Sequence, residues 1–158
     1  MTQPLVVGAL VGNPRPASRT LNAVPALREA VRRPLTGQGR EVAPDGPLVD
    51  AAEVFRPGST AVREALEDLA TADVLVVASP TYKATCTGLL KAVPDQAPAD
   101  WLRGTTAVPP LVAAAEKHAL AVEPHLKPLL AELGAAVPGR GIFVAEAGWF
   151  AAPVGAGR

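Results

Sequence analysis

Two polar loops in this sequence carry residue types that bind anions and planar rings. The first loop spans residues 12–20 and supplies Gly12, Asn13, Arg15, Ser18, Arg19 and Thr20. Glycine lets the backbone approach a ligand closely, and arginine forms charge-assisted bonds to phosphate. A helix that begins at the end of this loop directs free N–H groups at an anion. The loop therefore predicts a phosphate site; the alternative is a proline-rich turn whose arginines are merely solvated.

The second loop spans residues 79–88 and has the composition of a site for a flat heterocycle. Pro80 stiffens the chain, Tyr82 offers a ring face, and Lys83 supplies a cation near a developing negative charge. Backbone and hydroxyl groups at three threonines can bond to ring nitrogens and oxygens, namely Thr81, Thr85 and Thr87. The alternative is that Tyr82 and Lys83 only cover an exposed loop.

Each loop follows a short apolar run that predicts a strand buried on both faces, one over residues 5–11 and one over residues 73–78. Loops that leave the carboxyl edge of one parallel sheet face a common crevice. The two loops can therefore hold two ends of one ligand.

The remaining periodicity completes an alternation of strands and helices. It predicts helices over residues 20–33, 60–70, 87–93 and 112–133, and strands over residues 40–43, 105–108 and 142–144. Pro25 places the start of the first helix near Asn22, Pro109 and Pro110 end the fourth strand, and Pro124 and Pro128 break the last helix.

This alternation is typical of an α/β fold with right-handed crossovers. We expect a flavodoxin-like three-layer sandwich over residues 1–148, with a five-stranded parallel sheet of order 2-1-3-4-5. Residues 149–158 are small and glycine-rich and predict a flexible C-terminal tail. Trp101, Trp149 and Phe150 either pack the domain edge or cover the site of a neighbouring subunit.

Composition narrows the class of protein. The 158 residues include 15 basic and 15 acidic ones, a balance that does not favour nucleic-acid or membrane binding. Cys86 is the only cysteine and cannot form an internal disulfide, and no signal peptide or membrane span is evident, so the cytoplasm is the expected compartment. His118 and His125 lack a third ligand, and Pro124 interrupts the helix between them, which disfavours a metal site.

The loop sequences resemble those of the NADPH-dependent FMN reductase family, a flavodoxin-like group that includes the flavin reductases of alkanesulfonate monooxygenase systems. In that family the first loop reads Gly-Ser-Pro-Arg and then Ser-Arg-Ser/Thr, which residues 12–15 and 18–20 match with Asn13 in place of the serine. The second reads Pro-Val-Tyr-Lys-Ala-Ser-Tyr-Ser-Gly-Ala-Leu-Lys, and residues 80–91 are similar to it. The likeness extends over residues 5–144.

The resemblance implies that the chain transfers a hydride from NADPH or NADH to FMN. The phosphate is expected at Asn13, Arg15, Ser18 and Thr20, and the flavin ring at Pro80, Thr81, Tyr82 and Lys83. No side chain need act as a catalytic acid or base, because hydride passes directly between the two stacked rings. Reduced flavin would serve a flavin-dependent monooxygenase or a small acceptor, and a homodimer or homotetramer is expected.

Two departures from the family pattern leave other functions open. Residues 111–115 read Leu-Val-Ala-Ala-Ala where the family has a Gly-Gly loop beside the flavin, so a Cβ can hold the backbone away from the ring. Pro124 replaces a tyrosine of an interface helix. A flavodoxin-like electron carrier and a non-catalytic subunit are the alternatives. Arg15, Arg19 and Arg103 are equally eligible to bind the 2′-phosphate of NADPH.

Overall fold

A computed structural model of the chain describes residues 3–56 and 59–146. Within these residues, the first and third strands of the sheet lie side by side and are parallel, as the alternation predicts. The predicted tail, with Trp149 and Phe150, lies outside the described residues. Trp101 packs the domain edge, where its indole N–H donates to the carbonyl oxygen of Leu66 over 2.9 Å.

Over residues 3–56 and 59–146 the sheet contains six strands, and each pairing between them is parallel. They are β1 (Val7–Val11), β2 (Leu48–Asp50), β3 (Val74–Pro80), β4 (Thr106–Val108), β5 (Pro110–Ala113) and β6 (Ile142–Ala145), in the order β2-β1-β3-β5-β6 with β4 also paired to β3. This is the predicted strand order, with β6 in the fifth position.

The fourth predicted strand is interrupted at Pro109 and then continues. Val74 of β3 lies opposite Thr106 of β4, and Ser79 lies opposite Leu111 of β5, so the register does not change across the break. Proline removes one ladder hydrogen bond but does not prevent the chain from staying extended. The prediction that the two prolines end the strand was therefore wrong, and β4 and β5 together occupy the fourth position of the predicted order.

The second strand was placed too early by the sequence. Residues 40–43 form only an isolated bridge between Val42 and Leu5, whereas β2 begins at Leu48 in the proline-rich segment. Val49 is buried and pairs with Leu10, and three residues are enough for this edge strand. A strand this short carries no detectable alternation, because the period needs several residues to show.

The first helix is longer than predicted and accommodates its prolines. Helix α1 spans Arg19–Gly37 and contains Pro25 and Pro34 in its interior. Pro25 cannot donate to the preceding turn, but Val24 and Leu27 beside it are buried against β1 and β3. This packing offsets the lost hydrogen bond, so the expected start near Asn22 was wrong.

The other α-helices lie on the opposite face of the sheet. They are α2 (Ala51–Val54), α3 (Ala61–Leu69), α4 (Gly88–Ala92) and α5 (Lys127–Glu132). Leu10 and Leu75 point into this layer, whereas Ala9 and Val76 point toward α1. Alternate residues of each strand thus pack into two hydrophobic cores, one on each face of the sheet, which gives the three predicted layers.

The predicted break in the last helix is confirmed, but the predicted start at residue 112 was wrong, because Val112 and Ala113 belong to β5. Residues Glu116–Ala121 form a 3₁₀ helix, and Val122–Leu126 form one π turn that contains Pro124, before α5 begins. The backbone N–H of Lys127 closes this π turn by donating to the carbonyl oxygen of Val122, so Pro124 inside the turn need not donate. Gly134, at φ +92°, ends the segment in a conformation that other residues adopt only at a cost.

Candidate functional site

Both predicted loops leave the carboxyl edge of the sheet, and one buried hydroxyl joins them. The first loop follows β1 and ends at Ser18, and the second follows β3 and ends at Thr87. The Thr87 hydroxyl donates to the carbonyl oxygen of Gly12 and accepts from the backbone N–H of Leu90 at the start of α4. The two loops are therefore held side by side, as the strand positions predict.

Gly12 occupies a point where the backbone of the first loop touches α4. A Cβ on Gly12 would lie 2.2 Å from Cβ and 2.7 Å from Cα of Leu90. Glycine is thus required at this position by the packing of the first loop on α4. This role differs from the close approach to a ligand that the sequence suggested.

The first loop is shaped by its own polar side chains. Asn13 is buried, accepts from the backbone N–H of Arg15 over 3.0 Å and donates to the hydroxyl of Thr20 over 3.1 Å. Ser18 caps α1 by accepting from the backbone N–H of Leu21 over 3.1 Å. These bonds leave the loop open at the start of the helix, where the macrodipole favours an anion.

The second loop is a tight two-residue hairpin. Tyr82 and Thr85 exchange backbone hydrogen bonds of 2.9 and 3.2 Å. The central residues Lys83 and Ala84 have φ values of +53° and +66°, in the left-handed region that costs about 1–2 kcal/mol for a residue other than glycine. Such strain is concentrated at ligand sites, and the neighbouring Tyr82 side chain is among the exposed large hydrophobic ones of the described residues.

A cavity of about 360 Å³ opens between the two loops, within the range of small-molecule sites. Its lining brings together both loops and the end of β6: Asn13, Arg15, Pro16, Ala17, Ser18, Arg19, Pro80, Tyr82 and Glu146. Five of the predicted site residues, Asn13, Arg15, Ser18, Pro80 and Tyr82, thus line one cavity.

The other three predicted residues do not line this cavity. Thr20 is buried within α1 behind Asn13, and Lys83 is exposed at the tip of the hairpin. Thr81 donates its backbone N–H to the carbonyl oxygen of Val112, while its hydroxyl oxygen is buried and, in the described part of the chain, has no hydrogen-bond partner. A buried hydroxyl without a partner is costly and marks a place for a ligand or water.

Glu146 is a lining residue that the sequence reasoning missed. It directly follows β6 and forms an ion pair with Arg19 at 2.5 Å, its side chain 24% exposed. The rule that selected the two loops, proximity to the carboxyl end of a strand, applies to this position as well.

The sequence model of the NADPH-dependent FMN reductase family matches residues 5–150. This chain belongs to that family. It is 33% identical over 156 residues to the NADH-dependent FMN reductase SfnE of Pseudomonas putida, covering 93% of this chain and 80% of that protein. It is 35% identical over 142 residues to the FMN reductase (NADPH) of Escherichia coli K12, covering 85% and 70%.

A solved structure has the same fold, which confirms the predicted fold class. The apo form of an NADH:FMN oxidoreductase, EMOB, superimposes with a TM-score of 0.76 at 26% identity, covering 95% of this chain and 81% of that one. Membership of the FMN reductase family confirms the predicted resemblance, the predicted enzyme class and the expected pair of FMN and NAD(P)H.

The residues of the cavity fit FMN. The capped start of α1, with two arginines beside it, suits the phosphate, and the Tyr82 ring with Pro80 suits a planar heterocycle. The lining side chains carry two positive charges and one negative charge, from Arg15, Arg19 and Glu146.

Other residues that attracted notice lie elsewhere. Arg103 precedes the amino end of β4 and pairs with Asp100. It therefore lies at the opposite edge of the sheet from the cavity, which disfavours it as a partner for the 2′-phosphate of NADPH. Across residues 3–56 and 59–146, no group of three or more His, Cys, Asp or Glu side chains could hold a metal ion. Within the same ranges, every helix is too short or too polar to cross a membrane.

The alanines that replace the family glycines divide between strand and loop. Ala113 is the buried last residue of β5, so only Ala114 and Ala115 belong to the loop beside the second site loop. Ala115 is extended, with φ −114° and ψ 126°, a conformation that needs no glycine. The backbone of this chain is thus relaxed with alanine there.

Proposed function

We propose that this chain is an NAD(P)H:FMN oxidoreductase whose flavin site is the cavity between the two loops. The observation that carries the proposal is that Arg15 and Tyr82, from loops far apart in sequence, line the same cavity. Arg15 and Ser18 would contact the phosphate, and Asn13 and Thr20 would hold the loop in shape for it.

The second loop would hold the flavin ring. Pro80 and Tyr82 give apolar surface, the Thr81 hydroxyl would gain its missing partner, and Lys83 at the hairpin tip would lie near the ring edge. Bound FMN supplies the chemistry, because its ring accepts the hydride of the nicotinamide. The protein's part is to hold the ring with one face open and to align the second ring against it.

Release of reduced flavin is the second part of the proposal. Tyr82 is 39% exposed, and Ala114 and Ala115 replace glycines that would let the backbone approach the ring. Both features favour an exchangeable flavin that passes to a flavin-dependent monooxygenase or a small acceptor. We further propose a homodimer or homotetramer in the cytoplasm, where NAD(P)H is available and Cys86 stays reduced.

The test is NAD(P)H oxidation by the purified chain, with and without added FMN, followed by the absorbance of the reduced nicotinamide. Turnover that requires FMN supports the proposal, and the ratio of rates with NADH and NADPH settles the preference that the sequence leaves open. FMN binding without turnover would instead identify an electron carrier. Absence of flavin fluorescence quenching at micromolar protein would identify a non-catalytic subunit.

A further inference from the structure

The cavity proposed for the FMN phosphate contains a carboxylate. Glu146 lines it from the end of β6 and pairs with Arg19, which lies at the start of α1. The Arg19 side chain is 66% exposed, whereas that of Glu146 is 24% exposed, so the acid is the more enclosed partner. An acidic group inside an anion site needs an explanation, since it opposes the charge of the ligand.

Charge at this position acts strongly because solvent is partly excluded. The phosphate of a flavin mononucleotide carries close to two negative charges at neutral pH. Partly buried charges are screened less by salt than exposed ones. Glu146 would therefore repel the phosphate and at the same time attract the Arg19 guanidinium that the phosphate would otherwise attract.

We propose that Glu146 competes with the FMN phosphate for Arg19 and thereby keeps FMN affinity low enough for the flavin to exchange at each turnover. This inference rests on the proposed function, and it names a residue that sets the strength of the phosphate grip. FMN is then handled as a substrate that enters and leaves, and the ion pair of Arg19 with Glu146 re-forms when the phosphate departs.

The experiment compares FMN with riboflavin, which has the same ring and ribityl chain but no phosphate. Dissociation constants are measured by flavin fluorescence quenching for the natural chain and for Glu146→Gln. We expect the Kd of FMN to fall roughly tenfold in Glu146→Gln, the effect of one close, partly buried charge, and the Kd of riboflavin to stay within about twofold.

A matched control removes a carboxylate from an ion pair on α1, away from the cavity. Glu29, about three turns along the helix from Arg19, forms an exposed ion pair with Arg33 outside the lining of this cavity. Glu29→Gln should leave both dissociation constants unchanged. Glu146→Ala is expected to match Glu146→Gln, so a folding defect in one variant, detected by thermal melting, leaves the other available.

Three results would overturn the inference: equal changes for FMN and riboflavin, no change for either, or weaker FMN binding in both Glu146 variants. Equal changes would show that Glu146 contacts the ribityl chain or the ring. Failure of the natural chain to bind FMN or to oxidise NAD(P)H would instead overturn the proposed function, so the two failures are separable.

Discussion

The hydroxyl of Thr87 donates a hydrogen bond to the carbonyl oxygen of Gly12, a residue 75 positions earlier in the chain. The hydroxyl oxygen of Thr87 also accepts from the backbone N–H of Leu90 over 3.0 Å and so caps α4. One buried side chain thus fixes the second loop to the first and orients the helix that follows. Together with the pairing of β1 and β3, this contact fixes the relative position of the two loops, on which the proposed flavin site depends.

Replacement of Thr87 by valine should destabilise the protein by about 2–3 kcal/mol, because a buried carbonyl and a helix N–H both lose their partner. FMN binding should weaken as well. Urea unfolding and flavin titration provide the measurements. Thr87→Ser keeps the hydroxyl and should cost only about 1 kcal/mol for the lost methyl; equal losses in the two variants would show that the hydroxyl is unimportant.

Replacement by alanine should affect stability differently at two glycines of the loops. Gly12→Ala places a Cβ 2.2 Å from Cβ of Leu90, so loop and helix must separate. We expect a loss of about 3 kcal/mol, the upper end for overpacking, since the Leu90 backbone must also move. Gly88→Ala meets no heavy atom within 4 Å and should stay within about 0.5 kcal/mol of the natural chain.

Thermal melting of both glycine variants checks this pair. A Gly12→Ala protein that melts with the natural chain would mean that α4 does not pack on the first loop.

The Tyr82 ring should determine how well the isoalloxazine is held. Tyr82→Ala removes the aromatic face at the cavity and should raise the Kd of FMN roughly tenfold, the upper range for an aromatic contact. Tyr82→Phe keeps the ring and should bind FMN within about twofold of the natural chain. Riboflavin should follow the same pattern, because this loop contacts no phosphate in the proposed site. A tenfold loss in Tyr82→Phe as well would assign the binding to the phenol oxygen.

Stability should depend on pH through Asp50, the residue that caps α2. Burial raises the pKa of its carboxyl above the ordinary value of 3.8, although the Ala52 N–H bonded to it acts in the other direction. The folded state thus holds the proton more tightly than the unfolded one. The destabilisation is absent below the ordinary pKa and grows as pH rises through the folded pKa.

Asp50→Asn keeps the cap but carries no charge to bury. It should therefore melt at a higher temperature than the natural chain at about pH 7, and at the same temperature at about pH 3. Calorimetry at the two pH values measures this. A variant less stable at neutral pH would show that the negative charge is worth more at the helix start than it costs to bury.

Much of the fold follows from local patterns. The runs that became β1 and β3 are mostly apolar, and their lengths and flanking loops sufficed to predict a parallel sheet and the edge that carries the candidate site. The break at Pro124 was also predicted, because a proline acts on its own turn of helix. Such features depend on interactions within a few residues.

Other features of the fold and of the candidate site could not be predicted from local patterns. Pro25 lies inside α1 because burial of Val24 and Leu27 offsets its cost, and that burial is a contact with distant strands. The side chain of Asn13 lines the cavity and bonds to the backbone N–H of Arg15 and the hydroxyl of Thr20, contacts that the residue types alone did not predict.

The amino-acid sequence by itself determined which residues could bind phosphate and ring, and that two parallel strands would bring them to one edge. Only the tertiary structure decided that Glu146 joins Arg19 in the cavity and that Thr87 ties the loops together through Gly12. The reason is physical: periodicity and turn chemistry report on neighbours along the chain, whereas a hydrogen bond or ion pair between distant segments forms only after the strands have packed in register.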